Sequence, residues 1–136
     1  MMPDLQMSVM CDDVRQEHNG KFMLIGLFDV VGLSVFPGVF QRICIVNRWC
    51  SGEGPFKERT RLMAPDGSTI VIEGREIALT LANGEANATS VEWFLSVKFN
   101  APGVYWVEVL LNGDLRLRYP LRVAAVAPRP EQPQVA

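Results

Sequence analysis

The sequence predicts an all-β protein, an immunoglobulin-like antiparallel β-sandwich in a single domain. Apolar residues occupy every second position in two long segments, residues 89–99 and 104–123, and this period is typical of strands with one buried face. Turn signals separate short strand-like runs at a spacing of about ten residues, which favours a sandwich or barrel. No segment shows a comparable helical period.

Turn residues divide the chain into ten predicted strands. The clearest turn signals inside the chain are Asn19-Gly20, Phe36-Pro37-Gly38 and Ala64-Pro65-Asp66-Gly67. In order, the predicted strands lie near residues 4–12, 21–28, 30–35, 40–50, 56–63, 68–73, 76–82, 89–99, 104–111 and 115–123.

The alternation also assigns side chains to faces. In the first strand, the residues expected to face inward are Leu5, Met7, Val9 and Cys11. Along residues 89–99, the expected inward set is Val91, Trp93, Leu95, Val97 and Phe99. The expected outward set is Glu92, Phe94, Ser96 and Lys98.

The last two strands are predicted to form a hairpin at Asn112-Gly113. Residues directly opposed in an antiparallel pair share a face, and odd-numbered residues are apolar on both strands. A two-residue turn would pair Leu111 with Asp114 and break this parity. We therefore expect a three-residue loop with a G1 bulge at Gly113.

That register predicts the neighbours of the outward residues. Glu108 should lie opposite Arg116, and Trp106 opposite Arg118. Pro120 points outward and lacks an N–H, so the last strand is expected to be an edge strand or a bulged one.

A tyrosine precedes this hairpin at a corner. The segment Ala101-Pro102-Gly103-Val104-Tyr105 resembles the tyrosine corner of immunoglobulin-like sandwiches. The resemblance implies that the Tyr105 hydroxyl bonds back to nearby backbone. The alternative is a core tyrosine whose hydroxyl reaches water.

Length and composition indicate one domain. The chain has 136 residues, of which 49% are hydrophobic, enough for a sizeable core. We expect the sandwich to span residues 1–123. The Pro-rich tail at residues 124–136 lacks large apolar side chains that would offset the entropy of ordering, so it is expected to be disordered.

Charge and hydropathy indicate the compartment. The net charge of -2 provides no general attraction to nucleic acid or to an anionic membrane. The longest apolar run, residues 22–36, is interrupted by Gly26, Asp29 and Gly32, so we interpret it as two strands and expect no membrane contact. The N-terminus shows no secretion signal, and a cytoplasmic location is the expectation.

The three cysteines agree with a reducing compartment, because an odd number without tight spacing is not a disulfide framework. Cys44 and Cys50 would lie about 20 Å apart along one straight strand, too far to bridge. We interpret the cysteines as small buried hydrophobes. A reactive or metal-binding thiol is the alternative.

The densest polar segment contains Asp12, Asp13, Arg15 and Glu17, and it is predicted to be a loop. Its carboxylates could ligate a hard cation such as Ca²⁺, although the spacing does not match an EF-hand. A structural role is the alternative: an aspartate caps backbone amides, Arg15 pairs with a carboxylate, and Gly20 adopts a positive φ. A third possible role of this segment is contact with a partner.

Catalytic patterns are weak. His18 is the single histidine, so a catalytic dyad or triad would require its loop to fold onto a cysteine or serine. No Gly-rich phosphate motif and no zinc-type cysteine pairing is present. We therefore predict no catalytic, cofactor-binding or metal-binding residues and no cofactor.

Arginines on the predicted outward faces form basic stripes. The basic residues are Arg116, Arg118 and Arg122 on one strand, Lys57, Arg59 and Arg61 on another, and Arg42 and Arg48 on a third. With outward aromatic residues, such stripes could bind nucleic acid. Interleaved glutamates, Glu108 among them, favour ordinary cross-strand charge pairing instead.

Large apolar residues at outward positions suggest an interaction surface. Monomers rarely expose a large contiguous apolar patch, so a loop, arginine stems or another molecule must cover it. The predicted surface consists of Phe94, Trp106, Leu110, Arg116 and Arg118. Its partner would be another protein or a second copy of the chain.

Several segments together resemble a known family. They are residues 11–21, residues 24–28, Phe36-Pro37, and the hairpin that ends in residues 119–123. The chain is similar, to about residue 123, to a family of small bacterial proteins of unknown function. The resemblance implies a bacterial single-domain protein, and it implies no activity.

These observations predict a non-catalytic interaction or scaffold module of a bacterial cytoplasm. The alternative is a ligand- or metal-binding sandwich that uses acidic loops at one end. A hydrolase would require His18 buried beside a thiol or hydroxyl.

Overall fold

The computed structural model describes residues 1–128, and every regular element in this range is a β-strand. The all-β prediction is confirmed, and each predicted strand is present. No helix in the described range is long and apolar enough to cross a membrane. The strands are β1 (Asp4–Gln16), β2 (Phe22–Phe28), β3 (Val30–Leu33), β4 (Gly38–Cys50), β5 (Gly54–Met63), β6 (Ile70–Glu73), β7 (Ile77–Leu81), β8 (Asn87–Phe99), β9 (Gly103–Leu111) and β10 (Asp114–Ala125).

The strands form two sheets. The four-stranded sheet has the order β2-β1-β4-β8, and the six-stranded sheet has the order β3-β10-β9-β5-β6, with β7 also paired to β5. The chain changes sheets at Asp29, between β2 and β3. Because β3 and β10 run in the same direction, their pairing is parallel, and the prediction of a purely antiparallel sandwich is wrong at this edge.

β10 continues past the predicted domain end at residue 123. Ala124 pairs with Gly32 and Ala125 with Leu33, and the Val126 N–H donates to the Leu33 carbonyl at 3.0 Å. The start of the predicted tail is therefore part of the sheet. The rest of that tail, residues 129–136, lies outside the described residues.

The main core fills the space between the two sheets. Ile43, Ile45 and Phe94 of the four-stranded sheet pack in one cluster with Leu62 and Val107 of the six-stranded sheet. A second cluster surrounds Trp49 at one end. Burying each such side chain stabilises the fold by about 1.5–3 kcal/mol.

The alternation along β8 slips by one residue. Phe94 is only 2% exposed, whereas Trp93 and Leu95 lie outward at 38% and 61%. The predicted faces are therefore wrong in this part of β8. The slip occurs at Ser96, which has φ +53, and beyond it the predicted inward residues are buried. The pairing with β4 keeps its register across this point, so the change of face comes from the backbone conformation at Ser96 and not from an inserted residue.

A similar irregularity affects β1. The register with β4 shifts between Leu5 and Met7, so Leu5 packs in the cluster around Trp49 as predicted. Met7, Val9 and Cys11 pack instead in a third cluster, on the face of the sheet turned away from the six-stranded sheet. Their predicted orientation toward the main core is wrong. We call this face of the four-stranded sheet the outer face.

The β9–β10 turn differs from the expected three-residue loop. Leu111 pairs directly with Asp114 across Asn112-Gly113, and both turn residues have positive φ, +49 and +84. The parity is restored by a bulge between Leu115 and Leu117 instead. The sequence correctly requires one extra residue in this hairpin, but the structure accommodates it in the strand and not in the turn.

The tyrosine corner is confirmed. The Tyr105 hydroxyl donates to the carbonyl oxygen of Ala101 at 2.7 Å. Its ring packs edge-on against Phe99, with the ring centroids 4.9 Å apart. This contact joins the β8–β9 connection to the main core.

The β1–β2 hairpin folds back over the outer face. Cys11, Cys44 and Val46 point to this face and are nevertheless fully buried, because Val14 and Leu24 of the hairpin pack against them. We call residues 13–25 the hairpin arm. The arm and the outer face together enclose the third cluster.

The bend that produces this arrangement lies at Asp12 and Gly26. Gly26 has φ +70, and a Cβ atom there would lie 2.2 Å from Asp12 Oδ2. Only glycine meets both requirements without strain, because it tolerates positive φ and has no side chain to collide with the carboxylate. Gly26 therefore permits the arm to turn back over the sheet.

Candidate functional site

A groove opens where the hairpin arm bends away from β4. It has a volume of about 550 Å³ and is lined by Asp12, Val39, Phe40, Gln41, Arg42 and Leu95. Trp93 lies beside it on β8, and the Arg42 guanidinium is 5.2 Å from the centroid of the Trp93 ring. We call this feature the bend groove.

The strand β2 continues the apolar surface of the groove. No residue of this strand carries a polar side chain, five of its seven residues are exposed, and it pairs only with β1 in the described chain. Leu27 is the most exposed of its large apolar side chains, at 62%. Since Asp12 both lines the groove and contacts Gly26 of β2, the two surfaces adjoin. An apolar edge strand is also a template for pairing with another strand.

The sequence analysis did not identify this surface. The signal that could have found it is the uncharged run of residues 22–28, which we interpreted only as one of two strands in the apolar run 22–36. An edge strand and a central strand have the same apolar composition, so composition alone does not distinguish them.

The interaction surface predicted from the sequence is not assembled. Phe94 lies in the main core, on the other sheet from Trp106 and Leu110. Leu110 is 9% exposed, between its cross-strand neighbours Arg59 and Leu115. Its predicted exposure is therefore wrong, because neighbouring side chains on the sheet cover it.

The other predicted members of that surface lie on the six-stranded sheet. The Arg118 guanidinium stacks 4.5 Å from the centroid of the Trp106 ring, which is half-buried. Arg116 Nη2 donates to the Pro3 carbonyl at 3.2 Å. The bulge in β10 places Arg118 opposite Glu108 and Pro120 opposite Trp106, so the predicted neighbours are wrong by two residues.

The basic stripes are neutralised by glutamates of the same sheet. Glu108 is buried between two arginines, with Arg61 Nε 2.7 Å and Arg118 Nε 3.9 Å from its carboxylate oxygens. Arg59 pairs with Glu73 at 2.9 Å. The expectation of cross-strand charge pairing is confirmed at these positions.

The acidic segment lies on a strand and not in a loop, because β1 extends to Gln16. Asp13 Oδ1 accepts the Val14 N–H at 2.9 Å, and Asp13 Oδ2 lies 3.3 Å from Arg15 Nε. Asp12 lies against Gly26, and Glu17 is exposed on the hairpin turn. The structural role expected for an aspartate and for Arg15 is confirmed.

The carboxylates proposed as cation ligands do not converge. In residues 1–128, no three His, Cys, Asp or Glu side chains lie together in a group that could hold a metal ion. Asp66 caps its own turn, where it accepts the Thr69 hydroxyl at 2.5 Å and the N–H groups of Thr69 and Ser68 at 2.8 and 2.9 Å, and these bonds lower its pKa to about 2.

Two of the cysteines meet across the four-stranded sheet. Cys11 and Cys44 are directly opposed in the β1–β4 ladder, and both side chains are fully buried. Burial raises the pKa of both thiols, that of Cys44 to about 12. Thiols held in this way behave as small apolar groups, as expected. The sequence could not pair them, because they are far apart along the chain.

A polar cluster spans the space between the sheets. Glu58 is only 1% exposed. Ser90 Oγ donates to its Oε2 at 2.6 Å, and Asn47 Nδ2 donates to its Oε1. Burial raises the pKa of the Glu58 carboxyl and, on β8, that of Glu92. The outward assignment of Glu92 is wrong, since the slip at Ser96 turns its side chain inward.

The fold and this surface define a small two-sheet all-β domain with an apolar groove at a bent hairpin. Residues 6–124 match a family of unknown function (DUF6941), and the chain belongs to that family. The resemblance to a family of unknown function is therefore confirmed. No curated protein matches the chain.

One solved structure with a similar backbone is the Pseudomonas fluorescens alkylpurine DNA glycosylase AlkC bound to DNA containing an abasic site analog. The similarity has a TM-score of 0.49 at 17% sequence identity. It covers 71% of this chain and 28% of that chain.

Proposed function

We propose that this protein is a non-catalytic interaction module of a bacterial cytoplasm, built on an immunoglobulin-like sandwich. It binds a protein partner that places an extended apolar segment in the bend groove and along the exposed edge of β2. The observation that carries the proposal is the exposure of large apolar side chains on both sides of Asp12, with Val39 and Leu95 at the bend groove and Leu27 on β2.

The amount of exposed apolar surface supports the proposal. Leu27, Val39 and Leu95 are each 48–62% exposed, and large exposed apolar patches on monomers are often functional. A partner strand added to the free edge of β2 would satisfy its unpaired backbone groups.

Residue chemistry supports it as well. Trp93 and Arg42 stack at the side of the groove, and tryptophan and arginine are enriched among the residues that dominate binding energy at interfaces. Stacking holds both side chains in place, which lowers the entropy lost when a partner orders them.

The placement of His18 supports a non-catalytic role. This side chain is exposed on the turn of the hairpin arm, whereas Cys11 and Cys44 are buried beneath the arm. A cysteine nucleophile requires an accessible thiolate, and burial with a raised pKa opposes it.

A peptide-display selection on the full chain tests the proposed binding mode. We expect enriched peptides to be extended and apolar, and to protect amide protons of β2 from hydrogen exchange. Leu95→Glu should abolish their binding. Leu115→Glu is the matched control, because Leu115 is 50% exposed on the other sheet.

Two results would overturn the proposal. One is a selection that enriches no peptide above background. The other is peptide binding that Leu95→Glu and Leu115→Glu reduce equally, since the bend groove would then contribute nothing specific. Light scattering of the same proteins shows whether a second copy occupies the groove, in which case Leu95→Glu converts a dimer to a monomer.

A further inference from the structure

A second cavity lies between the tip of the hairpin arm and the outer face of the four-stranded sheet. It has a volume of about 550 Å³ and is lined by Asn19, Gly20, Lys21, Phe22, Arg48, Asn87 and Thr89. The turn of the arm contributes Asn19, Gly20 and Lys21, the start of β2 contributes Phe22, and β4 and β8 contribute the others. We call it the tip cavity.

The lining is cationic and rich in hydrogen-bond donors. It contains Lys21 and Arg48 and no carboxylate. Neither cation forms an ion pair within residues 1–128, whereas most arginines of the six-stranded sheet are paired with glutamates. Amide and hydroxyl groups of Asn19, Asn87 and Thr89 complete the lining. Glu17, four residues before Lys21 in the sequence, does not line the cavity.

Arg48 is held rigidly beneath the arm. It lies in the middle of the sheet, with Met7 opposite on β1 and Thr89 opposite on β8. Its Nε atom is buried and has no hydrogen-bond partner in the described chain. Because Arg48 lines the cavity while its Nε atom is buried, a ligand there would reach the guanidinium through its Nη groups.

The turn that carries Lys21 is also ordered. The Lys21 N–H donates to Asn19 Oδ1 at 3.0 Å, and Gln16 Nε2 donates to the Gly20 carbonyl at 3.1 Å. Gly20 has φ +90, which lets the backbone close the turn. Two cations on separate elements therefore line one partly open cavity.

We propose that the tip cavity binds the phosphate group of a small phosphomonoester. Arg48 offers a planar fork of donors that matches a phosphate oxygen pair, and Lys21 neutralises the remaining charge. The volume exceeds what a phosphate group alone needs and lies in the range of small-molecule sites. The half-exposed ring of Phe22 provides an apolar wall for the organic part.

Calorimetric titration of the full chain with phenyl phosphate and, separately, with inorganic phosphate tests this proposal at constant ionic strength. We expect phenyl phosphate to bind more tightly than inorganic phosphate because of the contact with Phe22. Lys21→Gln should weaken binding about tenfold, and Arg48→Gln at least as much, because each removes a charge-assisted contact.

Lys98→Gln is the matched control. Lys98 is exposed on β8, forms no ion pair in the described residues and lies outside the tip cavity, so its removal should leave the affinity unchanged. Arg48→Lys keeps the charge but loses the fork and should bind at an intermediate level. If Arg48→Gln does not fold, Lys21→Gln on the exposed turn still gives the answer.

Three results would overturn the proposal. The first is the absence of binding heat for both probes at millimolar concentration. The second is an equal loss of affinity in Lys21→Gln and Lys98→Gln, which indicates general charge attraction. The third is equal affinity for the two probes, which contradicts a phosphomonoester as the ligand.

Discussion

Replacing Gly26 with alanine should loosen the hairpin arm from the outer face. The residue stands at the bend of β2 with φ +70, and an added Cβ atom would lie 2.2 Å from Asp12 Oδ2 and 2.8 Å from Asp12 Cγ. The substitution therefore meets two separate obstacles, one in the backbone and one in packing. Both act at the point where the arm turns back.

The expected cost follows from these two terms. A non-glycine residue in the left-handed region costs about 1–2 kcal/mol. The Asp12 side chain must also leave its rotamer, at about 0.5–1.5 kcal/mol. Together the free energy of unfolding should fall by about 1.5–3.5 kcal/mol, and the melting temperature by roughly 10 °C for a domain of this size.

Two assays check this expectation. Urea unfolding measures the loss of stability, and thiol labelling reports on the arm. In the native protein, Cys11 and Cys44 are buried beneath the arm, whereas Cys50 is partly exposed. Cys50 should therefore be labelled quickly, and Cys11 and Cys44 slowly. In Gly26→Ala, the two slow thiols should react markedly faster at a urea concentration well below the unfolding transition.

Gly113→Ala separates the two terms. Gly113 has φ +84, and an added Cβ atom would have no neighbour within 4 Å. This variant should lose only the backbone term, about 1–2 kcal/mol, and should keep the two slow thiols protected. Adding Asp12→Ala to Gly26→Ala should recover about 1 kcal/mol, since the collision with the carboxylate disappears. Equal losses in Gly26→Ala and Gly113→Ala, with unchanged labelling of the two slow thiols, would refute this account of the bend.

Three further predictions concern the core and the six-stranded sheet. Burial raises the folded-state pKa of Glu58, so its contribution to stability is present at low pH and is lost as pH rises through that raised pKa. Urea unfolding at about pH 5 and about pH 8 should show a smaller fall in stability for Glu58→Gln than for the native chain, and an unchanged fall would assign the pH dependence to other groups. Tyr105→Phe removes the bond to the Ala101 carbonyl and should lower the free energy of unfolding by about 1 kcal/mol; a loss near zero would mean that the corner is not stabilising. Glu108→Ala leaves two arginines without their shared carboxylate and should cost about 2 kcal/mol, with a smaller cost at high salt because both arginines are partly exposed; a salt-independent loss would indicate packing instead.

The sequence by itself determined where the strands lie. Apolar side chains at every second position mark strands regardless of their partners, because the period belongs to extended backbone. The ten strands and the pairing of Glu108 with an arginine of the adjacent strand were predicted for this local reason. The bond from the Tyr105 hydroxyl to nearby backbone was expected from the resemblance to a tyrosine corner.

In several strands, single residues decide which side chains turn toward the core, and the sequence does not mark these residues. Ser96 adopts a positive φ, and irregularities in β1 and β10 each shift the register by one residue. Because side chains alternate, each shift moves a whole segment to the opposite face. This is why Phe94 and Glu92 are buried and Leu95 is exposed, against the prediction.

Only the tertiary structure decided which surfaces are covered. Cys11 meets Cys44, and the arm closes the tip cavity above Arg48, through contacts between residues distant in sequence. The apolar run of residues 22–28 is the same string of side chains whether it lies in a sheet's centre or at its edge. The pattern of apolar residues along the sequence shows where the backbone is extended. Whether a side chain is buried depends on which other parts of the fold pack against it.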